Sequence, residues 1–240
     1  MSHAASGGEA DPDDLLETPG EPTALDTRTE HGTAQGGRPL GPRALKTRQK
    51  LLETTQELLA ERPVRDVSVV EIARRAGTSP ATFYQYFADV EEATLELASA
   101  AAEQVPAILE PLAADWKGAQ GLAPARVLVD AFVRHWDANH AALLFRNVAA
   151  EQGDERFRKV RTRALWPVLR ALGRKIEESH QQGAAAAGLH PVPAAAALAA
   201  ILERLAAYHQ ELEVLGVSRE QLVETCARIL HQVVTGETSA

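Results

Sequence analysis

The sequence predicts an all-α fold in two parts, a small three-helix head followed by a larger helical body. Three observations predict it. Alanine and leucine dominate while aromatics make up only 5% of the chain, a composition that favours helix over sheet. Apolar residues recur at intervals of three and four from Arg43 almost to the C-terminus. Helix-start signals punctuate that pattern: Ser68 with Glu71, Ser79 with Pro80, Asp89 with Glu92, and Ser218 with Gln221. About nine helices are expected, with the head over 43–88 and the body over 89–240.

Ahead of them, residues 1–42 are rich in Gly, Pro, Ser, Thr and acids and hold too little apolar surface to offset the entropy of ordering. A disordered tail is expected. It carries eight acids against Arg28 and Arg38, so most of the net charge of −8 lies there and the remainder is close to neutral. Charge therefore neither demands nor forbids a polyanionic partner. The single cysteine, Cys226, rules out an intrachain disulfide framework. No apolar run follows Met1 and none approaches the roughly 20 residues needed to span a bilayer, so a cytoplasmic protein without a membrane partner is expected.

The first helix spans Arg43 to about Glu61, with Leu45, Leu51, Leu52, Thr55, Leu58 and Leu59 at helical spacing. Arg43, Lys46, Arg48 and Lys50 crowd its beginning, where the macrodipole disfavours cations; phosphates outside the chain explain them better than helix stability does. In the second helix Ser68 is the N-cap, Glu71 completes a capping box, and Val69, Ile72, Ala73 and Ala76 form an apolar face that Gly77 ends. Ser79 caps the third helix and Pro80 sits at its first position. Phe83 and Phe87 lie four apart and turn inward, which leaves Ala81, Thr82, Tyr84, Gln85 and Tyr86 on the outer arc. Two short capped helices around a tight turn suit a DNA major groove.

Glu71-Ile72-Ala73, Ala76-Gly77-Thr78-Ser79 and Thr82-Phe83-Tyr84-Gln85-Tyr86-Phe87 together resemble the signature of the TetR family of transcriptional regulators. The resemblance implies an N-terminal three-helix DNA-binding domain and a larger helical domain that binds an effector and dimerises. It implies base-edge contacts from Thr82, Gln85 and Tyr86, and phosphate contacts from Thr78, Ser79, Tyr84 and the start of the first helix (Arg43, Lys46, Thr47, Arg48). A homodimer reading a palindromic operator in double-stranded DNA follows, since one short helix offers too few base contacts. The sequence departs from the family at Val90, where a phosphate-binding lysine is common.

In the body, Asp89 and Glu92 start a fourth helix that Pro106 and Pro111 bend or end. A fifth is expected from Pro124 to about Ala138, a sixth from His140 to about Ala150, and a seventh from Asp154 or Glu155 to about Gln182, bent at Pro167. A Gly/Ala/Pro connector leads to an eighth over about Ala194–Leu215 and a ninth from Ser218 to about Val234. Stripes on the last two, including Leu198, Leu202, Leu205 and Leu212, then Leu222, Cys226 and Ile229, are the expected dimer seam. Phe132, Trp136, Phe145, Trp166, Leu169 and Tyr208 are candidates to line an effector pocket, with His135 and Arg204 to orient a polar head group. The basic run Arg156, Arg158, Lys159, Arg161, Arg163 would attract a charged effector such as an acyl-coenzyme A to the pocket mouth, if it is not simply a solvated face.

The chain has no phosphate-cradling glycine loop, GxSxG, CxxC or HExxH, and His135 and His140 are misspaced for a shared metal. No catalytic residue, metal or cofactor is expected. The function expected is a ligand-responsive repressor released by a small lipophilic effector. The alternatives are an effector-independent regulator or activator, or a helical protein-interaction module.

Overall fold

The structure is a computed structural model that describes residues 40–183 and 188–237. The acidic tail lies outside the described residues except at 40–42, where Pro42 already opens the first helix. Among the described residues there are eight α-helices and no strand: α1 (Pro42–Glu61), α2 (Val69–Arg75), α3 (Pro80–Tyr84), α4 (Val90–Ile108), α5 (Leu122–Glu151), α6 (Glu155–Gln181), α7 (Pro191–Val214) and α8 (Arg219–Thr235).

Helices α1 to α3 and the start of α4 enclose the head's core, in which Leu51, Leu58, Ile72, Phe83 and Phe87 are fully buried. The caps set its geometry. Ser68 accepts from the N–H of Glu71, but the expected box stays half made because Arg62 takes the Glu71 carboxylate. Gly77 turns the chain at φ +71°, and Thr78 N–H closes the turn onto Ala73 O at 2.8 Å. Ser79 Oγ accepts from Thr82 N–H at 3.2 Å and starts α3 with Pro80 in its first turn. Asp89 caps α4 at 2.7 Å, while Glu92 reaches back to Ala88 N–H, one residue earlier than a regular box.

The body departs from the sequence reading in four places. The expected fifth and sixth helices are one 30-residue α5, without a break at Ala138–His140. Asn139, a residue that favours helix ends, instead bonds back to His135 O at 2.9 Å. Asp137 is drawn sideways to His209 at 2.7 Å and Arg219 at 3.1 Å, tying α5 to α7 and α8. Among the described residues the total is therefore eight helices rather than nine. Second, α7 begins at Pro191, a first-turn proline, rather than at about Ala194, whereas α4 ends at Ile108, just past Pro106, and α6 continues through Pro167, both within the sequence reading.

Third, α7 is by length and composition apolar enough to cross a membrane, against expectation. It packs against α6 through Ala195, Leu198, Ala199 and Leu202 and carries Glu203 and Arg204, which marks a core helix. Fourth, Leu198, Leu202 and Cys226, expected in a dimer seam, are only 1%, 1% and 2% exposed in the single chain. They fill its own core, together with Leu172 and Ile176 of α6 and Leu230 of α8. Leu222 is buried in the single chain as well. Burial pushes the Cys226 thiol up to about 11, so it is held as an inert neutral thiol.

Near the body's far end the indole N–H of Trp116 donates to Pro111 O at 3.0 Å, and its carbonyl meets His231 Nε2 at 2.7 Å. Gly121 approaches that carbonyl so closely that a Cβ would lie 1.8 Å from it. The glycine there is a steric requirement.

Candidate functional site

The head presents a surface built from α3 and the start of α1. Phe83 and Phe87 anchor α3 from behind, their rings 5.4 Å apart, and Tyr84 and Gln85 stand out into solvent. Tyr86 is half-buried and packs on the head's core, so less of its ring is on offer than the sequence pattern suggests. Arg43 and Thr47 of α1 line one crevice with Thr82 and Tyr86 of the α3 turn. Lys46 is exposed on the same helix; the Thr47 hydroxyl donates to Arg43 O at 3.1 Å and holds that turn. Thr78 is half-buried at the turn, and the Ser79 hydroxyl lies 3.0 Å from that of Thr82. The Lys50 ammonium lies beside the Gly77 turn.

Arg48 is a correction. Expected at a phosphate, it is buried, its Nη2 lies 2.7 Å from Glu96 of α4, and its guanidinium sits 5.1 Å from the Phe87 ring centre. The residue joins α1, α4 and the end of α3 inside the head and is not available to a ligand. Val90 is also buried, against Phe87 and Ala93, so the family's lysine position is here part of the apolar core.

The second feature is a cavity of about 40 Å³ between α4, α5, α6 and α7. Of the residues expected around it, Phe132, His135 and Trp136 line it. Phe145 does not: it packs on the head's core and edge-on to Phe157. Trp166 and Leu169 are half-buried on α6 outside the lining, and Arg204 stacks 3.7 Å from the Tyr208 ring centre away from it. The residues missed were Arg146 and Glu203, while Arg161 was expected only as one of the basic run at the pocket mouth. Arg146 lies on the same face of α5 as Phe132, Trp136 and Leu143, a periodicity hidden while that helix was read as two.

Polar chemistry at the cavity is concentrated on one side. Glu203 Oε1 accepts from Asn147 at 3.0 Å and from Arg146 at 3.3 Å, and Arg161 lies 3.5 Å from its other oxygen. Burial, partly countered by Glu203, pushes Arg146 down to about 10, so it keeps its charge. Burial and then the Arg146 charge push the His135 imidazole down to about 4. Three other arginines of the basic run are matched by acids: Arg156 with Asp154, Arg158 with Glu155, and Arg163 with Glu103. Arg161 alone among these arginines lines the cavity.

A neutral buried histidine has a pH consequence. The unfolded imidazole gains a proton near ~6.5, the folded one only near 4, so the unfolded state binds more protons between the two values. That stability is complete above the unfolded value and is lost as the pH falls. The loss is about 3 kcal/mol in full and about 2 kcal/mol by pH 5. Urea denaturation at pH 7.5 and 5.0 is expected to show a gap about 2 kcal/mol smaller in His135→Gln than in wild type; equal gaps would mean the ring is charged or hydrated.

Two helices link cavity and head. The start of α4 (Val90, Ala93) belongs to the head's core, while Val105 lines the cavity. On α5, Ala141 and Phe145 pack on the head and Ala138 O accepts from Gln56 of α1 at 2.8 Å, within the stretch that supplies His135, Trp136 and Arg146 to the cavity. At the other side of the body, α7 and α8 leave Ile201 and Ile229 exposed and Leu205, Leu212 and Val233 half-buried.

Residues 110–240 match the family described as tetracyclin repressor-like, C-terminal domain, and residues 51–92 match that of bacterial regulatory proteins, tetR family. The transcriptional regulator EthR of Mycobacterium tuberculosis is 40% identical over 63 residues, which is 26% of this chain and 29% of that protein's length. Among solved structures, the fatty acid degradation regulator FadR of Bacillus halodurans matches with TM-score 0.56 at 17% identity, over 82% of this chain and 96% of its own. FadR of Bacillus subtilis in complex with stearoyl-CoA matches with TM-score 0.55 at 19% identity, over 79% of this chain and 98% of its own. A capped helix-turn-helix head on a helical body with an internal cavity, matched at both ends by the same family, makes this chain a member of the TetR family of bacterial regulatory proteins.

Proposed function

We propose that the chain is a ligand-responsive transcriptional regulator, a cytoplasmic repressor that binds a palindromic operator as a homodimer and releases it when a small lipophilic effector enters the cavity. Residues 43–88 are the reading head and 89–240 the effector-binding and dimerisation body. The observation that carries this reading is the exposed α3, with Tyr84 and Gln85 outermost and two buried phenylalanines behind it, beside the basic start of α1. In that role Thr82, Gln85 and Tyr86 approach base edges; Arg43, Lys46, Thr47, Thr78, Ser79 and Tyr84 fix register on phosphates. The chain acts by binding, without catalysis.

Release has a physical route. An effector that widens the cavity pushes on α5 and α4, and both are packed into the head. The operator is lost only if the ligand binds the displaced conformation more tightly than the resting one. The stearoyl-CoA held by the Bacillus subtilis neighbour supports a lipophilic occupant. A protein-interaction module without DNA is not favoured, because α3 keeps its caps, its anchors and its exposed polar arc.

A gel shift against the protein's own upstream DNA tests the reading. Wild type is expected to give a specific band that Gln85→Ala weakens about tenfold or more, in line with roughly 1–3 kcal/mol for a base contact. Lys46→Ala should instead weaken specific and random DNA alike and lower the salt slope by about one. No specific band at low salt would end the proposal.

A further inference from the structure

The cavity's charges do not balance. Two guanidiniums, Arg146 and Arg161, face one carboxylate, Glu203, whose oxygens are already divided among both arginines and the Asn147 amide. Arg146 is 5% exposed, so water cannot screen it. The buried Nε of Arg161 has no hydrogen-bond acceptor. His135 adds no charge at neutral pH and no second acid lines the space. Around this positive corner the walls are apolar: Phe132, Trp136, Leu143 and Val168.

Resting on the reading of this cavity as the effector site, we infer that the effector is a small amphipathic acid. Its single carboxylate is received by Arg146 and Arg161 and its apolar tail lies along α5. The present space, about 40 Å³, has room for roughly three waters, enough for a carboxylate; the tail must part the helices to enter, which is the displacement that release requires. A neutral head group leaves the surplus charge and the Arg161 donor unmet, and a cation is repelled. A polyphosphate carrier such as coenzyme A would have to displace the acids that hold Arg156, Arg158 and Arg163 before those bases could receive its phosphates. Guanidinium suits the task, since its planar donors grip a carboxylate through two parallel bonds.

Calorimetric titration of the full chain with decanoate and 2-naphthoate, their primary amides, and decanoyl-coenzyme A tests this. Each acid is expected to bind at least tenfold more tightly than its amide. Arg161→Gln, at a half-exposed position, should cut that ratio to about threefold or less with amide affinity unchanged, and Arg146→Met should erase it. Glu203→Gln removes the internal competitor: it should lower the melting temperature of the free protein and raise both acid affinity and the stabilisation the acid gives. Equal binding of acid and amide, a ratio that survives both arginine variants, tighter binding of decanoyl-coenzyme A than of decanoate, or no binding by any of them overturns the inference. A gel shift on the same samples separates the two readings. Acid and amide that bind equally yet both release DNA remove the carboxylate class and leave the effector site. Acid preference without any effect on DNA removes the effector reading and leaves an acid-binding cavity.

Discussion

Glu96→Ala is expected to lower folding stability by about 3–5 kcal/mol and to abolish operator binding at 37 °C. The reason is what it leaves behind. Arg48 and Glu96 are 2.7 Å apart with side chains 9% and 6% exposed, so deleting the acid strands a guanidinium in a space with little water. The stranded charge lies against Phe87, which anchors the recognition helix, and the damage is therefore local to the reading surface. The size of the loss is not the worth of the pair. Replacing both partners, Arg48→Met with Glu96→Leu, removes the charges along with their desolvation and is expected to recover most of the stability. Urea denaturation of the two variants distinguishes a penalty from a bond: a loss under about 1 kcal/mol for Glu96→Ala would mean that water reaches the pair.

The same residue shows what could be read in advance. Ser79, Pro80, Gly77, Phe83 and Phe87 were legible because each acts on the residues beside it, through caps, a left-handed turn and a four-residue spacing. Arg48 looked like its neighbours Arg43 and Lys46, and only the arrival of Glu96 from another helix decides that it turns inward. Arg146 was missed for the opposite reason. Asp137 and Asn139 are residues that compete with helix, but Asp137 is occupied by His209 and Arg219 and Asn139 by the carbonyl of His135. With the helix continuous, a buried base falls in line with Phe132 and Trp136. Val90 makes a related point: the expected loss of a phosphate contact is, in the fold, a gain of apolar packing under α4. Apolar stripes tell which face is covered and not by what, and this is why Leu198, Leu202 and Cys226 were assigned to a partner when their own chain buries them.

That distinction gives the second large effect. Ile201→Arg combined with Ile229→Arg is expected to convert the proposed homodimer to a folded monomer and to cut operator affinity by roughly 10²–10⁴-fold, the gain that linking two heads supplies. Both isoleucines are about two-fifths exposed, flanked by half-buried Leu205, Leu212 and Val233, so an arginine at each is solvated in the monomer and buried without a partner in an isologous seam. One five-residue reading helix cannot hold a specific site alone, and the remaining binding should resemble that to random DNA in its salt dependence. Leu198→Ala is the contrast. It opens a void in the chain's own core at a cost of about 2–5 kcal/mol, and below its lowered melting temperature it should still sediment as a dimer. Analytical ultracentrifugation with a gel shift on each variant reads both. A double-arginine variant that remains dimeric would exclude this α7–α8 face and move the seam to another exposed apolar site, of which Val127 and Val148 on α5 are the nearest alternatives in character.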